Sequence, residues 1–394
     1  MRVSTSMIYD NGTTQFQNRA GDLLNLQQQV STGRRVVAPS DDPIASSTAL
    51  VVEQAKSVNA SYSINRGAAS DSLRIVESKL GGVNDLISYV KELVVQSGNG
   101  SLNAADRKTI AVDVRARYEA LVGLANSSDP EGGYLFAGFQ TNTQPFVGNI
   151  ASGMVYRGDQ GSRALQISDS RVIPVSNSGN EIFMDIPNLN GAFHTSAGAT
   201  NTGAAVIDDG SVVGSYSGNQ YRIDFTSPGN YDVYNVTLGG PPIASGAYLS
   251  GTAIAFDGIQ MSISGTPATG DTFSVDPGGY TDIFNTLKTF VGALENSSGP
   301  ALNTQVLQTL GKLDKAQDNV LRVISSIGSR VNEVQAAESV GSQADVQYAG
   351  TISRLVDLDY AKASSDLAQK TTALEAAQQA FVKTTGLSLF NYLG

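Results

Sequence analysis

One histidine, His194, and no cysteine set the limits of the covalent chemistry open to this 394-residue chain. Without cysteine there are no disulfides, no thiolate metal sites and no cysteine nucleophile. His194 lies outside any HExxH context, which removes the zinc-protease reading, and its Gly, Ala, Ser and Thr rich surroundings read as loop. A serine nucleophile therefore has no positioned base, and His194 reads as an isolated surface histidine. The glycines of GYLFAGF and GTPATGD are followed by no Gly-Lys-Ser/Thr, so they read as turns and not as a phosphate loop. The aspartates are numerous enough for a glycosidase pair, but acidic residues on a solvated β domain are the ordinary case. Asp41 and Asp42 before Pro43 lack the alternating oxygen ligands and distal glutamate of a calcium loop. They read as the cap of a helix, with Pro43 at its first position. No catalytic residue, cofactor or metal is expected.

The spacing that does carry chemistry is apolar, and the chemistry is association. Tyr360, Leu367, Leu374 and Phe381 fall seven residues apart, with Ala363 and Ala377 at intermediate positions. Tyr9, Phe16, Leu23 and Val30 repeat the same period at the other end of the chain, with Ala20 between. Each series makes one narrow apolar stripe on a helix, and two such stripes can bury one another as a coiled coil. Leu387 and Phe390 continue the apolar character of the C-terminal tail.

The elements between the stripes must carry them. The heptad helix at the N-terminus breaks at Ser31-Thr32-Gly33, and a new helix starts at Asp42. A 3,4 repeat from Val51 through Tyr62, Val76 and Val83 to Val94 predicts a helix of some fifty residues, with Gly81-Gly82 as its weak point. Ile110, Val114, Leu121 and Leu124 predict a shorter helix. At Gly133 the character changes to aromatic and β-branched runs punctuated by Gly and Pro, which predicts short strands, among them GYLFAGF and EIFMDIP. Two hairpins stand out. Tyr221, Ile223 and Phe225 turn at Ser227–Asn230 into Tyr231, Val233 and Tyr234; Ile254 and Phe256 turn at Asp257-Gly258 into Ile259, Met261 and Ile263. The stretch 191–218 between β segments is poorly determined. Helix returns near Thr281, ends at Ser298-Gly299-Pro300, and resumes with unbroken 3,4 spacing from Val306 to Val334.

The expected fold class is α+β and multidomain: N- and C-terminal helices paired into a long α-helical coiled-coil bundle, with a β-rich domain inserted at its tip. The expected segments are 1–40, an N-terminal assembly helix; 41–132, the first half of a helical core; 133–190, a β-rich part of the core domain; 191–280, an outer β domain; 281–345, the second half of the helical core; and 346–394, a C-terminal assembly helix. The narrow stripes cannot all be satisfied within one chain, so both terminal segments are expected to be disordered in the monomer and to fold on assembly.

A net charge of -10 argues against nucleic acid, which requires a clustered basic surface, and against an anionic membrane surface. Most of it belongs to the middle segment, where nine acidic residues between Val172 and Tyr280 are opposed by Arg222 alone. No apolar run approaches the ~20 residues of a membrane span, and MRVSTSMIYDNGTTQFQNRA has no apolar core of the ~7–15 residues that a cleavable secretory signal needs.

Three regions resemble the flagellin superfamily. QQQVSTGRRVVAPSDDPIAS looks like its N-terminal signature and QKTTALEAAQQAFVKTTGLSLFNYL, from Gln369, like its C-terminal one. GGYLFAGFQTNTQPF from Gly132 and VYRGDQGSRALQISDS from Val155 are more similar to the hook-filament junction branch than to filament subunits, and Pro43 leans the same way. SGTAIAFDGIQMSISGTPATGDTFSV is similar to a β module of hook-associated proteins. The resemblance runs along essentially the whole chain, with 191–218 least matched. It implies a structural protein of the bacterial flagellum, extracellular at the hook-filament junction, exported by the flagellar type III apparatus without a cleaved signal peptide. The implied partners are flagellin, a neighbouring hook-associated protein on the hook side, an export chaperone at the C-terminal region, and further copies of the chain in a ring or helical layer, with no nucleic acid and no membrane insertion. The assembly interface expected from the stripes comprises Tyr9, Phe16, Leu23, Val30, Tyr360, Leu367, Leu374, Phe381, Leu387 and Phe390. The alternatives are a filament flagellin subunit or a secreted coiled-coil adhesin whose tip aromatics Tyr221, Phe225, Tyr231 and Tyr234 face a ligand.

Overall fold

In the computed structural model, which describes residues 5–188, 190–198 and 200–386, six helices enclose a β-rich insertion. The helices are α1 (Thr5–Thr32), α2 (Pro43–Ser97), α3 (Ala104–Ala125), α4 (Ile283–Asn296), α5 (Gly299–Val356) and α6 (Tyr360–Gly386). Between α3 and α4 run fifteen short strands: β1 (Phe146–Asn149), β2 (Gly153–Tyr156), β3 (Ala164–Ser168), β4 (Arg171–Pro174), β5 (Ile186–Pro187), β6 (Phe193–Ala197), β7 (Val206–Ile207), β8 (Ser211–Val212), β9 (Tyr221–Ser227), β10 (Asn230–Asn235), β11 (Ala244–Ala247), β12 (Ala253–Phe256), β13 (Ile259–Ser264), β14 (Thr272–Pro277) and β15 (Tyr280–Thr281). The chain divides into two compact units, one formed up to Ile64 and from Ala337 onward, the other Asn65–Ala336; the boundaries fall inside α2 and α5.

Local chemistry sets the helix ends. Gly33, at φ 68°, lets the chain leave α1 in a left-handed turn. Asp42 caps α2 by accepting from the Ala45 amide at 3.0 Å, and that bond together with the Arg35 guanidinium holds its carboxyl below the usual range. Asn103 and Asp106 form a reciprocal capping box on α3. Gly81-Gly82 does not interrupt α2: both glycines are helical and followed by buried Val83 and Ile87. Packing of the apolar face outweighs the intrinsic cost of two glycines, about 0.5–1 kcal/mol each relative to alanine. A Cβ at Gly81 meets nothing within 4 Å. Gly81→Ala is therefore expected to stabilise the protein by about 0.5–1 kcal/mol, read as a higher midpoint in urea unfolding.

In the second unit, α2 and α5 are tied by Lys91 to Asp314 and by Gln317, which donates to Asn84 Oδ1 at 3.0 Å and Ser88 Oγ at 3.1 Å. A cluster of aromatic rings joins helices to the strands that follow α3. Phe284 on α4 lies 5.8 Å from Tyr118 on α3, 5.3 Å from Phe146 on β1 and 6.2 Å from Phe183, and Phe183 meets Phe136 edge-on at 5.5 Å. GYLFAGF and EIFM are thus not strands. The first is a loop that buries Leu135 and Phe136, and the second is a π-helical turn, Asn180–Met184, that buries Ile182 and Phe183. Demand for core aromatics overrode their strand propensity.

Five strands make the main sheet of the insertion, in the order β11-β10-β9-β14-β6, all neighbours antiparallel. A smaller sheet, β12-β13-β7 with β8 also on β13, packs its buried Ile254, Ile259 and Met261 into one core with Tyr221, Ile223, Phe225 and Phe273 of the first. Both expected hairpins form, and Asp257 at φ 42° followed by Gly258 at φ 70° makes the tight β12–β13 turn. The stretch 191–218 is more ordered than its composition suggests: it supplies β6, β7 and β8. Strand pairing to β14 and β13, remote in sequence, organises it. Asp271 fixes the approach to β7, its carboxylate accepting from the amides of Thr202 at 2.8 Å, Gly203 at 3.1 Å and Ala268 at 2.8 Å.

Candidate assembly interface

Within the first unit, α1 and α6 pack antiparallel. The rings of Tyr9 and Phe381 are 5.4 Å apart, Asp22 and Lys370 approach to 3.8 Å, and Gly33 faces the Tyr360 hydroxyl. The pair is joined at its base to the α1–α2 and α5–α6 turns. The backbones of Arg34 and Asp357 pair in an isolated antiparallel bridge, and the Arg35 guanidinium donates both to the Leu355 carbonyl at 2.6 Å and to Asp42 at 3.0 Å. Val36, Ala45, Ala49 and Val356 close a small core beneath. Asp41 holds the turn by accepting from the amides of Val37 and Ala38.

The stripe residues fall on this helix pair with uneven cover. Leu23, Val30, Leu367, Leu374 and Phe381 are half-buried, whereas Tyr9 is 54% and Tyr360 56% exposed, and Phe16 is also exposed. Leu387 and Phe390 lie outside the described residues. Phe381 packs against Gly12, where a Cβ would stand 2.7 Å from its ring. Beside them a shallow groove runs between Gly12 and Phe16 on α1 and Ala373, Ala377 and Phe381 on α6. Ala363, at an intermediate position of the stripe, is covered, and so is Leu26, three residues after Leu23, which the strict seven-residue period missed. The 3,4 spacing that marks a seam was its signal.

The remainder of the unit exposes further large apolar residues: Met7 and Leu24 on α1, Ile44, Leu50, Val51 and Ile64 on α2, Val340 and Val346 on α5, and Val382 on α6. A surface this rich in uncovered aliphatic groups is the mark of an association site.

His194 is not a surface histidine in a loop. It stands on β6, half-buried, with its Nε2 3.7 Å from Asp276. Strand pairing placed it there, which composition alone could not reveal. Among the described residues no group of three or more His, Cys, Asp or Glu could hold a metal ion, and no helix is long and apolar enough to cross a membrane. Of the four aromatics considered for ligand contact, Tyr221 and Phe225 are core residues and Tyr231 packs against the same core.

Residues 3–141 match the family model for the bacterial flagellin N-terminal helical region. The Flagellar hook-associated protein 3 of Escherichia coli (strain K12) is 29% identical over 390 residues, spanning 99% of both chains. Among solved structures, FlgL of Xanthomonas campestris superposes with a TM-score of 0.71 at 30% identity, covering 77% of this chain and 99% of that one. The flagellar junction protein FlgL of Legionella pneumophila gives a TM-score of 0.70 at 31% identity, covering 79% of this chain and all of its own.

Proposed function

Because this chain belongs to the family of flagellar hook-associated protein 3, we propose that it is a structural component of the bacterial flagellum and forms the junction layer between hook and filament. The observation that carries this reading is the apolar surface of the first unit, where Tyr9, Phe16 and Tyr360 remain exposed on a helix pair too narrow to cover them.

Neighbouring subunits cover that surface. The contact is heterologous, one patch meeting a different patch on the next copy, so copies add as a ring or helical layer and not as a closed dimer. Tyr9, Phe16, Leu23, Val30, Tyr360, Leu367, Leu374 and Phe381, with Leu387 and Phe390 beyond the described part, form the assembly interface. Hook-associated protein lies on one side and flagellin on the other. Before assembly both ends are disordered, because one thin seam does not offset the entropy of ordering dozens of residues. An export chaperone holds the C-terminal region, and the chain leaves through the type III apparatus without cleavage to its place outside the cell. It performs no catalysis. The segments 1–40 and 346–394 act as the assembly helices, 41–132 and 281–345 with 133–190 as the core, and 191–280 as the outer domain.

A clean deletion in the source organism tests this by electron microscopy of the cell surface and assay of flagellin in the medium. Hooks without filaments, with monomeric flagellin lost to the medium, are expected. Filaments still attached would move the adhesin reading ahead, and bare hooks with no flagellin released would make the chain the filament subunit.

A further inference from the structure

The main β sheet meets α5 through a polar contact. Gln308, buried on α5, donates its Nε2 to the Thr195 carbonyl on β6 at 2.6 Å. The charge of Lys312, one turn further along α5, acts on both His194 and Asp209, and that of Lys315 acts on Asp209. His194 stands beside Thr195 on β6. Its Nε2 faces Asp276 of β14, while its Nδ1 is buried with no hydrogen-bond partner among the described residues. Asp276 is already engaged through its other oxygen by Gln220. Asp208, next to Asp209, is occupied by the Ser262 amide and hydroxyl. The chain enters and leaves this domain through β5 and β15, a ladder of two residue pairs.

We propose that this contact is an acid-opened latch: protonation of His194 releases the domain built from β6 to β14 from α5 while the domain itself stays folded. Docked, an imidazolium would sit half-buried near the Lys312 ammonium, with Asp276 only partly free to compensate it. Released, His194 is in water and accepts a proton freely. The domain keeps its own core, built from Tyr221, Ile223, Phe225, Ile259, Met261 and Phe273, none of which lies on α5.

The sign follows from linkage. Burial above all, then Lys312, holds docked His194 below its ordinary 6.5, against the pull of Asp276 and of the Pro277 backbone. Docking is therefore at full strength above that value and weakens as pH falls through it, by at most about tenfold in the docking constant per pH unit for one proton. Asp209 works oppositely, since burial and then Asp208 raise it from 3.8, and protonating it favours the docked state; its window extends upward from the carboxylate range. Lys312, lowered by burial from 10.5, acts on the alkaline side, where losing its proton favours docking. The His194 effect is thus read from about pH 7.5 to about pH 5.5.

The native sequence has no cysteine, so two can be placed for donor and acceptor dyes in the full chain: Leu238→Cys on the exposed β10–β11 turn and Leu321→Cys on the exposed face of α5. Single-molecule transfer efficiency is expected to show a second population that grows reversibly on acidification, by up to about tenfold per pH unit, with unchanged far-UV circular dichroism. His194→Gln abolishes the growth. Lys312→Gln, an independent variant should the first fail to fold, diminishes it by narrowing the gap between docked and released histidine. One population throughout, an undiminished response in either folded variant, or growth accompanied by loss of secondary structure would overturn the latch.

Discussion

Phe381→Asp is expected to abolish incorporation into the flagellum while leaving export intact. The substitution places a carboxylate where an aromatic ring now packs 5.4 Å from Tyr9 and against Gly12. Even with α1 and α6 paired the position is only half-buried, and in the disordered ends proposed for the free chain it is solvated, so a charge there is tolerated before assembly. In the proposed layer the same position would be closed off by the next subunit, and an unpaired buried carboxylate would cost several kcal/mol at every copy. The expected phenotype is hooks without filaments, no spreading in soft agar, and the variant recovered in the culture medium. Phe381→Leu keeps the seam apolar and should retain most function. Normal filaments on the Asp variant would place the assembly contact elsewhere.

Phe284→Ala is expected to lower the stability of the second unit by about 3–5 kcal/mol, which for a unit of this size shifts its melting temperature by roughly 10 °C. The ring is fully buried and touches Tyr118, Phe146 and Phe183, so its loss opens a cavity where α3, α4, β1 and the π-helical turn converge. Calorimetry of the purified protein measures it. Tyr9→Ala provides the contrast: its ring is more than half exposed, and its removal should cost under about 1 kcal/mol in the monomer while impairing assembly. A small effect at Phe284 would mean that the aromatic cluster is not the keystone of the helical block.

The helices were legible because their signals are local. The 3,4 spacing of Val306 to Val334, the Asp42-Pro43 start and the Gly33 stop each act within a few residues, and α5, α2 and the end of α1 appear where those signals stand. The β9–β10 and β12–β13 hairpins were legible for the same reason, since Asp257-Gly258 needs no distant partner to turn. Phe136 and Phe183 were misread as strand residues because nothing near them in sequence reveals that Phe136 meets Phe183 and that Phe183 meets Phe146 and Phe284, whose positions depend on α3 and α4 closing around them. His194 was misread likewise: β6 exists only because β14, about eighty residues on, pairs with it.

The sequence by itself determined that this chain has helical ends with matching apolar stripes and a β-rich centre, because period, turn residues and composition act locally. Only the tertiary structure decided that α1 and α6 meet with Phe381 against Gly12 and Tyr9, that Leu26 is covered in the seam, and that His194 on β6 stands beside Asp276 on β14. Those outcomes depend on register between distant segments, which packing sets and spacing along one segment cannot.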